Sequence, residues 1–251
     1  MDRIQTANEL MERLYGQAES PSGKADPEFA AIKERLIYGE VYEHVQLDAE
    51  LRELLILAVA VTNQTHKEVS IHTKAALRAG VSPEKIKEAV YHCAPYIGFG
   101  KAEASLEAVN RVLEEQSVHL PLSAGSTVTE EDRLEKGIAA QKSIFGDNID
   151  IMRAAAPNDQ RHIQDYLSAC CFGDFYTREG LDPRQRELLT FCILCAQGGC
   201  ENQVRTHVSG NIAVGNGREV LLDALTICLP YIGFPRTLNA LACINEVLSK
   251  S

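Results

Sequence analysis

The 251-residue sequence contains no uncharged apolar run of the ~18–20 residues a helix needs to span a bilayer. Its start, Met1-Asp2-Arg3-Ile4, lacks the basic residues, apolar stretch and small-residue cleavage site of a secretory signal. The expectation is a cytoplasmic chain with no membrane partner, whose eight cysteines are reduced thiols. Positive charge is scarce: 25 Lys and Arg against 35 Asp and Glu leave a formal charge of −10. Such a chain repels phosphate backbones, so nucleic acid is not the expected ligand, and a small anion would need a local cluster of Arg or Lys. Alternating apolar and polar segments with paired turn signals are missing, which removes the mark of a sheet. Metal-binding spacing is missing too. His66 and His72 stand six apart, about 240° around a helix, and Cys192-x-x-Cys195 falls inside the apolar run Phe191 to Ala196. No metal or cofactor is expected.

What the sequence does contain is a repeat. Pro95-Tyr96-Ile97-Gly98-Phe99 recurs as Pro230-Tyr231-Ile232-Gly233-Phe234, an offset of 135 residues that also pairs Val69 with Val204, His72 with His207 and Cys93 with Cys228. Upstream the offset is 134, pairing Tyr42 with Tyr176 and Arg52-Glu53-Leu54-Leu55 with Arg186-Glu187-Leu188-Leu189. One residue is therefore inserted between Glu187 and His207, most simply at Gly198-Gly199. Arg3 to Gly16 lines up with Arg133 to Gly146. Repeats of 1–120 and 130–251 follow, with Gln116 to Thr127 as a Pro-, Ser- and Gly-containing linker.

Each copy reads as helices throughout, giving an all-α fold. The run Leu54 to Val61 is too continuously apolar for a surface helix and belongs in a core. Thr65 and Glu68 have the spacing of a capping box opening a helix over Val69, His72, Ala76 and Leu77, which ends near Gly80. Ser82-Pro83-Glu84 supplies the N-cap, first-turn Pro and first-turn acid of the next helix, and the last helix of the copy follows Gly98.

Glu53 and Glu187 each stand near the head of an apolar helix, followed after 19 or 20 residues by His72 and His207. Two helices joined by a short turn bring such positions together. A buried carboxylate must find a partner or take up a proton. An imidazole beside it would be oriented and tuned for proton transfer, unless the pair merely ties two helices together. Cys200, just ahead of the helix bearing His207, would have its thiol pKa lowered by the helix terminus and the imidazole, unless it is an inert small residue before the helix.

Arg186-Glu187-Leu188-Leu189-Thr190, Ala196-Gln197-Gly198, Asn202 to His207 and Pro230 to Arg236 resemble the motifs of the carboxymuconolactone decarboxylase family. The segment Phe172 to Leu181 is similar to one found in the true decarboxylases of that family. The resemblance implies a tandem pair of alkyl hydroperoxidase D-like helical domains and a cofactor-free decarboxylase of a small carboxylated lactone or related acid. His207 would be the proton donor and Glu187 its orienting partner, with His72 and Glu53 as the duplicates. Asp174, Tyr176, Arg178, Arg205 and Tyr231 would bind the anionic substrate. Single-domain relatives that form hexamers further imply a homotrimer imitating a hexamer. The related peroxidases carry Cys-x-x-Cys-x-x-x-His, which here would fall on Cys200, Gln203 and His207. The second thiol is missing, so a thiol-dependent peroxidase or reductase using Cys200 stands second, and a catalytically silent helical binding scaffold third.

Overall fold

The computed structural model describes residues 2–16 and 25–249. Met1, at the start of the first expected repeat, and Lys250-Ser251, at the end of the second, lie outside the described residues. Among these residues there is no strand. The first half runs α1 (Arg3–Tyr15), α2 (Pro27–Leu36), a π-helical turn (Ile37–Val41), α3 (Tyr42–His44), α4 (Ala49–Thr62), α5 (His66–Arg78), α6 (Pro83–Ile97) and α7 (Phe99–Glu115). The second runs α8 (Arg133–Phe145), α9 (Asn148–Ala155), α10 (Arg161–Tyr166), a π-helical segment (Leu167–Tyr176), α11 (Pro183–Gln197), α12 (Glu201–Ala213) and α13 (Arg218–Leu248). α8, α11 and α12 repeat α1, α4 and α5, and the two parts of α13 repeat α6 and α7.

Local chemistry fixes the ends of the two central helices. Asp48 accepts a hydrogen bond from the Leu51 amide at 2.8 Å and starts α4. Asp182 and Gln185 form a reciprocal capping box at α11, with Pro183 in its first turn. From Glu53 to Thr62 on α4, and from Arg186 to Ala196 on α11, every residue is buried. The helices pack on one another, and the larger of two apolar clusters runs through residues of both repeats. The halves also exchange partners: α6 of the first repeat lies on α11, and α13 of the second lies on α4.

The π segments sit under α1 and α8 because their glycines allow close approach. A Cβ on Gly39 would stand 2.2 Å from the Arg3 carbonyl oxygen, and one on Gly173 at 2.2 Å from that of Arg133. Each π segment delivers a tyrosine, Tyr42 or Tyr176, toward the helix that follows.

α13 is the helix among the described residues with the length and apolar composition to cross a bilayer. Its backbone leaves helical geometry at Gly233 (φ 78°, ψ 163°), as it does at Gly98 (φ 89°, ψ 150°) between α6 and α7. A positive φ is what Gly supplies without a Cβ clash. Gly198 and Gly199 form the turn between α11 and α12, where the change of repeat offset places the one-residue insertion.

The capping box at Thr65 is not formed. Thr65 Oγ1 donates to the Ala60 carbonyl at 3.2 Å instead, and Glu68 turns toward His72. The buried imidazole outcompetes the backbone for the Glu68 carboxylate. Ser82 does cap α6, accepting from the Lys85 amide at 3.2 Å.

Candidate functional site

Both Glu–His pairs are assembled. His72 Nδ1 lies 2.7 Å from Glu53 Oε2, and Tyr42 donates to Glu53 Oε1 at 3.0 Å. His207 Nδ1 lies 2.8 Å from Glu187 Oε2, and Tyr176 donates to Glu187 Oε1. Each carboxylate thus sits between a phenol from a π segment or its end and an imidazole from the following helix, its two oxygens both satisfied.

Beyond that shared triad the copies differ. His72 is sealed, its side chain 0% exposed, with Glu68 Oε2 at 3.6 Å and the Tyr231 hydroxyl at 3.2 Å from Nε2. Burial opposes its charge, but the Glu53 and Glu68 carboxylates overcome this and raise its pKa to about 9. At neutral pH it is an imidazolium clasped by two acids. In the second repeat Gln203 replaces Glu68. His207 remains 11% exposed, and its Nε2 has no hydrogen-bond partner among the described residues. Phe145 and Tyr96 flank the ring edge-on, at centroid distances of 5.5 Å and 6.3 Å.

The first repeat supplies part of this second site. Glu88, His92 and Tyr96 stand at i, i+4 and i+8 on α6, so they share one face, and that face lies on α11. Glu88 bridges Arg178 (Nη2 to Oε1 2.7 Å) and the buried Arg186 (Nη2 to Oε2 3.4 Å). His92 Nε2 meets Thr190 Oγ1 at 2.9 Å, and Thr190 Oγ1 lies 3.0 Å from the Tyr96 hydroxyl. Burial lowers the pKa of Arg186 while Glu88 opposes the shift. Two of the corresponding positions of the first site are apolar: Ile56 stands for Thr190 and Ile227 for His92.

The remaining expected substrate contacts are redistributed. Arg178 is tied to Glu88 and also lines a cavity of about 320 Å³ with Lys87, Tyr91 and the segment 121–125. Asp174 is held by Arg133 Nε at 2.7 Å and fastens α8 to the π segment. Arg205 pairs with Glu246 at 2.7 Å on the surface, on the side of α12 that meets α13. Tyr231 belongs to the His72 site, because the exchange of α6 and α13 puts each Tyr of the repeated motif beside the other repeat's histidine.

The expectation for Cys200 is reversed. Its thiol donates to the Leu194 carbonyl at 3.2 Å, and burial followed by the Glu201 charge raises its pKa. It is half-buried beside a void of about 20 Å³, room for roughly one water. Cys192 and Cys195 are fully buried, with burial holding their thiols well above the ordinary range. All eight cysteines are unpaired.

Sequence reasoning missed Glu88, His92 and Thr190 as members of the site, and of the two repeated tyrosines it named Tyr231 and not Tyr96 as a binding residue. The four-residue spacing on α6 was a usable signal for a shared face, but only the crossing of α6 onto the other repeat reveals what that face meets.

Two helical repeats, each with a Glu–His–Tyr triad and each placing a tyrosine beside the other's histidine, make a duplicated all-α protein. The carboxymuconolactone decarboxylase family is matched twice, at residues 27–111 and 161–246, and the chain belongs to that family. It is 25% identical over 91 residues to the 4-carboxymuconolactone decarboxylase of Acinetobacter baylyi, covering 36% of this chain and 68% of that protein. It is 36% identical over 61 residues to the nitrosuccinic acid decarboxylase npaB of Metarhizium robertsii, covering 24% of this chain and 43% of that protein. The fold matches a crystal structure from Burkholderia xenovorans named for a gamma-carboxymuconolactone decarboxylase subunit, with TM-score 0.58 and 18% identity, over 99% of this chain and 98% of that one.

Proposed function

We propose that the site around His207 is the active site of a cofactor-free decarboxylase acting on a small organic acid. The observation that carries this reading is the contrast at Nε2: free and partly open in His207, clasped by Glu68 and Tyr231 in His72. Family membership and two relatives named as decarboxylases support the reaction class. A lactone carbonyl and a nitro group share one property, since each can take up the electron pair left when CO₂ departs. The substrate class is therefore a carboxylic acid carrying such an acceptor, with a carboxylated lactone as the first candidate.

In this mechanism the bond to the carboxylate carbon breaks and its electron pair passes into the acceptor oxygen. One proton per CO₂ must then reach carbon. His207 delivers it from Nε2, and Glu187 on Nδ1 orients the ring and stabilises the imidazolium. Arg178, whose cavity lies beside the Glu88 bridge and is not lined by His207, is the cation we assign to an anionic arm of the substrate, in exchange for part of its contact with Glu88. A peroxidase reading is weaker because Gln203 occupies the place of a resolving thiol and the Cys200 pKa is raised. Repeats of 1–120 and 130–251 assembling as a homotrimer complete the proposal. A CO₂-release screen over carboxylated lactones, β-keto acids and nitro acids tests it: release from at least one class is expected, and none from any would contradict it.

A further inference from the structure

The hydrogen bonds around Tyr96 run in one direction. Arg186 has only donors to offer, and its Nη1 lies 3.4 Å from His92 Nδ1, so Nδ1 must present its lone pair. His92 is neutral, since burial and then the Arg186 charge hold its pKa well below the ordinary value. Its proton is therefore on Nε2, shared between the Arg186 carbonyl at 3.1 Å and Thr190 Oγ1 at 2.9 Å. Thr190, having accepted there, donates onward to the Tyr96 oxygen at 3.0 Å, which also receives the Cys171 thiol at 3.7 Å. The Tyr96 oxygen accepts twice, and its own proton is left to donate beside the His207 ring, whose centroid lies 6.3 Å from that of Tyr96. Burial, followed by Cys171 and Glu187, keeps this phenol protonated far above the ordinary range.

From this chain we infer that Tyr96, contributed by the first repeat, is the hydrogen-bond donor that holds the substrate oxygen on which negative charge develops at the His207 site. The inference rests on the decarboxylase reading for its substrate and deepens it. A neutral donor aimed at a developing oxyanion acts where charge appears and adds little to ground-state binding. His92 and Thr190 are positioning residues: they fix which way the Tyr96 proton points. The His72 site has no such chain, because isoleucines replace both members and Tyr231 is bonded to the histidine itself. A site built this way favours substrates whose electron-accepting group ends in oxygen, which lactones and nitro acids share.

The test has two arms. In the first, para-nitrophenol is titrated into the full chain by absorbance, reading phenolate and phenol affinities separately. Wild type is expected to prefer the phenolate, Tyr96→Phe to weaken phenolate binding by about tenfold with phenol affinity little changed, and Thr190→Val to fall between, with Thr190→Ser restoring the preference. No phenolate preference in wild type, or an unchanged preference in Tyr96→Phe, would overturn the inference. In the second arm, CO₂ release from 4-carboxymuconolactone is measured, with Tyr96→Phe expected to lose about 10²–10³-fold in kcat at similar KM. A wild type that prefers phenolate but releases no CO₂ from any acid of the screen would overturn the decarboxylase reading and leave the donor standing. A Tyr96→Phe variant as active as wild type would overturn the donor alone.

Discussion

His72 and Glu68 lie one helical turn apart on α5, with Nε2 and Oε2 3.6 Å from each other, and their counterparts on α12 are His207 and Gln203. That single exchange of a carboxylate for an amide separates the two sites electrostatically. In the first, the buried imidazolium is held between the buried Glu53 and the partly exposed Glu68 and keeps its proton. In the second, one acid holds Nδ1 and the opposite nitrogen has no hydrogen-bond partner among the described residues.

The clasp predicts a pH dependence of stability. A histidine whose folded pKa is raised to about 9 from an ordinary 6.5 stabilises the folded state fully below about pH 6.5, and this contribution is lost as pH rises through 9. Urea midpoints should therefore fall between about pH 7 and pH 9.5, and Glu68→Gln should flatten that fall. A midpoint that rises over this range would contradict the assignment.

Glu88→Gln is expected to destabilise by about 3–5 kcal/mol, because Arg186 would be left as a buried charge without its carboxylate. Since Glu88 and Arg186 come from different repeats, the loss should weaken the seam between them. Urea denaturation measures it, and a change under about 1 kcal/mol would show that the bridge is dispensable.

Thiol alkylation followed by mass mapping should label the half-buried Cys170 and Cys200 ahead of the buried Cys192 and Cys195. Rates should climb steeply with pH, because burial raises all four thiols. Faster labelling of Cys192 or Cys195 would contradict their place in the core.

Exposed apolar residues recur at equivalent places: Phe29 and Ile163, Ile32 and Tyr166, Phe99 and Phe234. A surface repeated in both halves suits a closed ring in which each half makes the same contact. Sedimentation is expected to give three chains, and Ile32→Glu with Tyr166→Glu to shift the protein to smaller species. A wild-type monomer at micromolar concentration would defeat the proposed assembly.

Much of the fold and the site was legible in the sequence. The duplication, the buried α4 and α11, the Ser82 cap and both Glu–His pairs follow from spacing and apolar pattern, which act within one helix or between neighbours in the chain. Other features, besides the α6 residues and Thr190, were not legible. Thr65 and Glu68 fit a capping box, but a buried histidine one turn on offered Glu68 a stronger partner. Cys200 precedes a helix as expected, yet its thiol turns to the Leu194 carbonyl, and burial sets its pKa. Tyr231 and Tyr96 exchange sites because α6 and α13 cross between repeats, a long-range choice that no local pattern encodes.

The central claim is that proton delivery belongs to His207 and not to His72. Its most direct test is single-turnover CO₂ release from 4-carboxymuconolactone in deuterated water, comparing wild type, His207→Asn and His72→Asn under conditions where all three remain folded. Wild type should incorporate one solvent deuteron per CO₂, His207→Asn should lose about 10²–10⁴-fold in rate, and His72→Asn should retain turnover. Equal losses in the two variants, or full activity in His207→Asn, would contradict the claim.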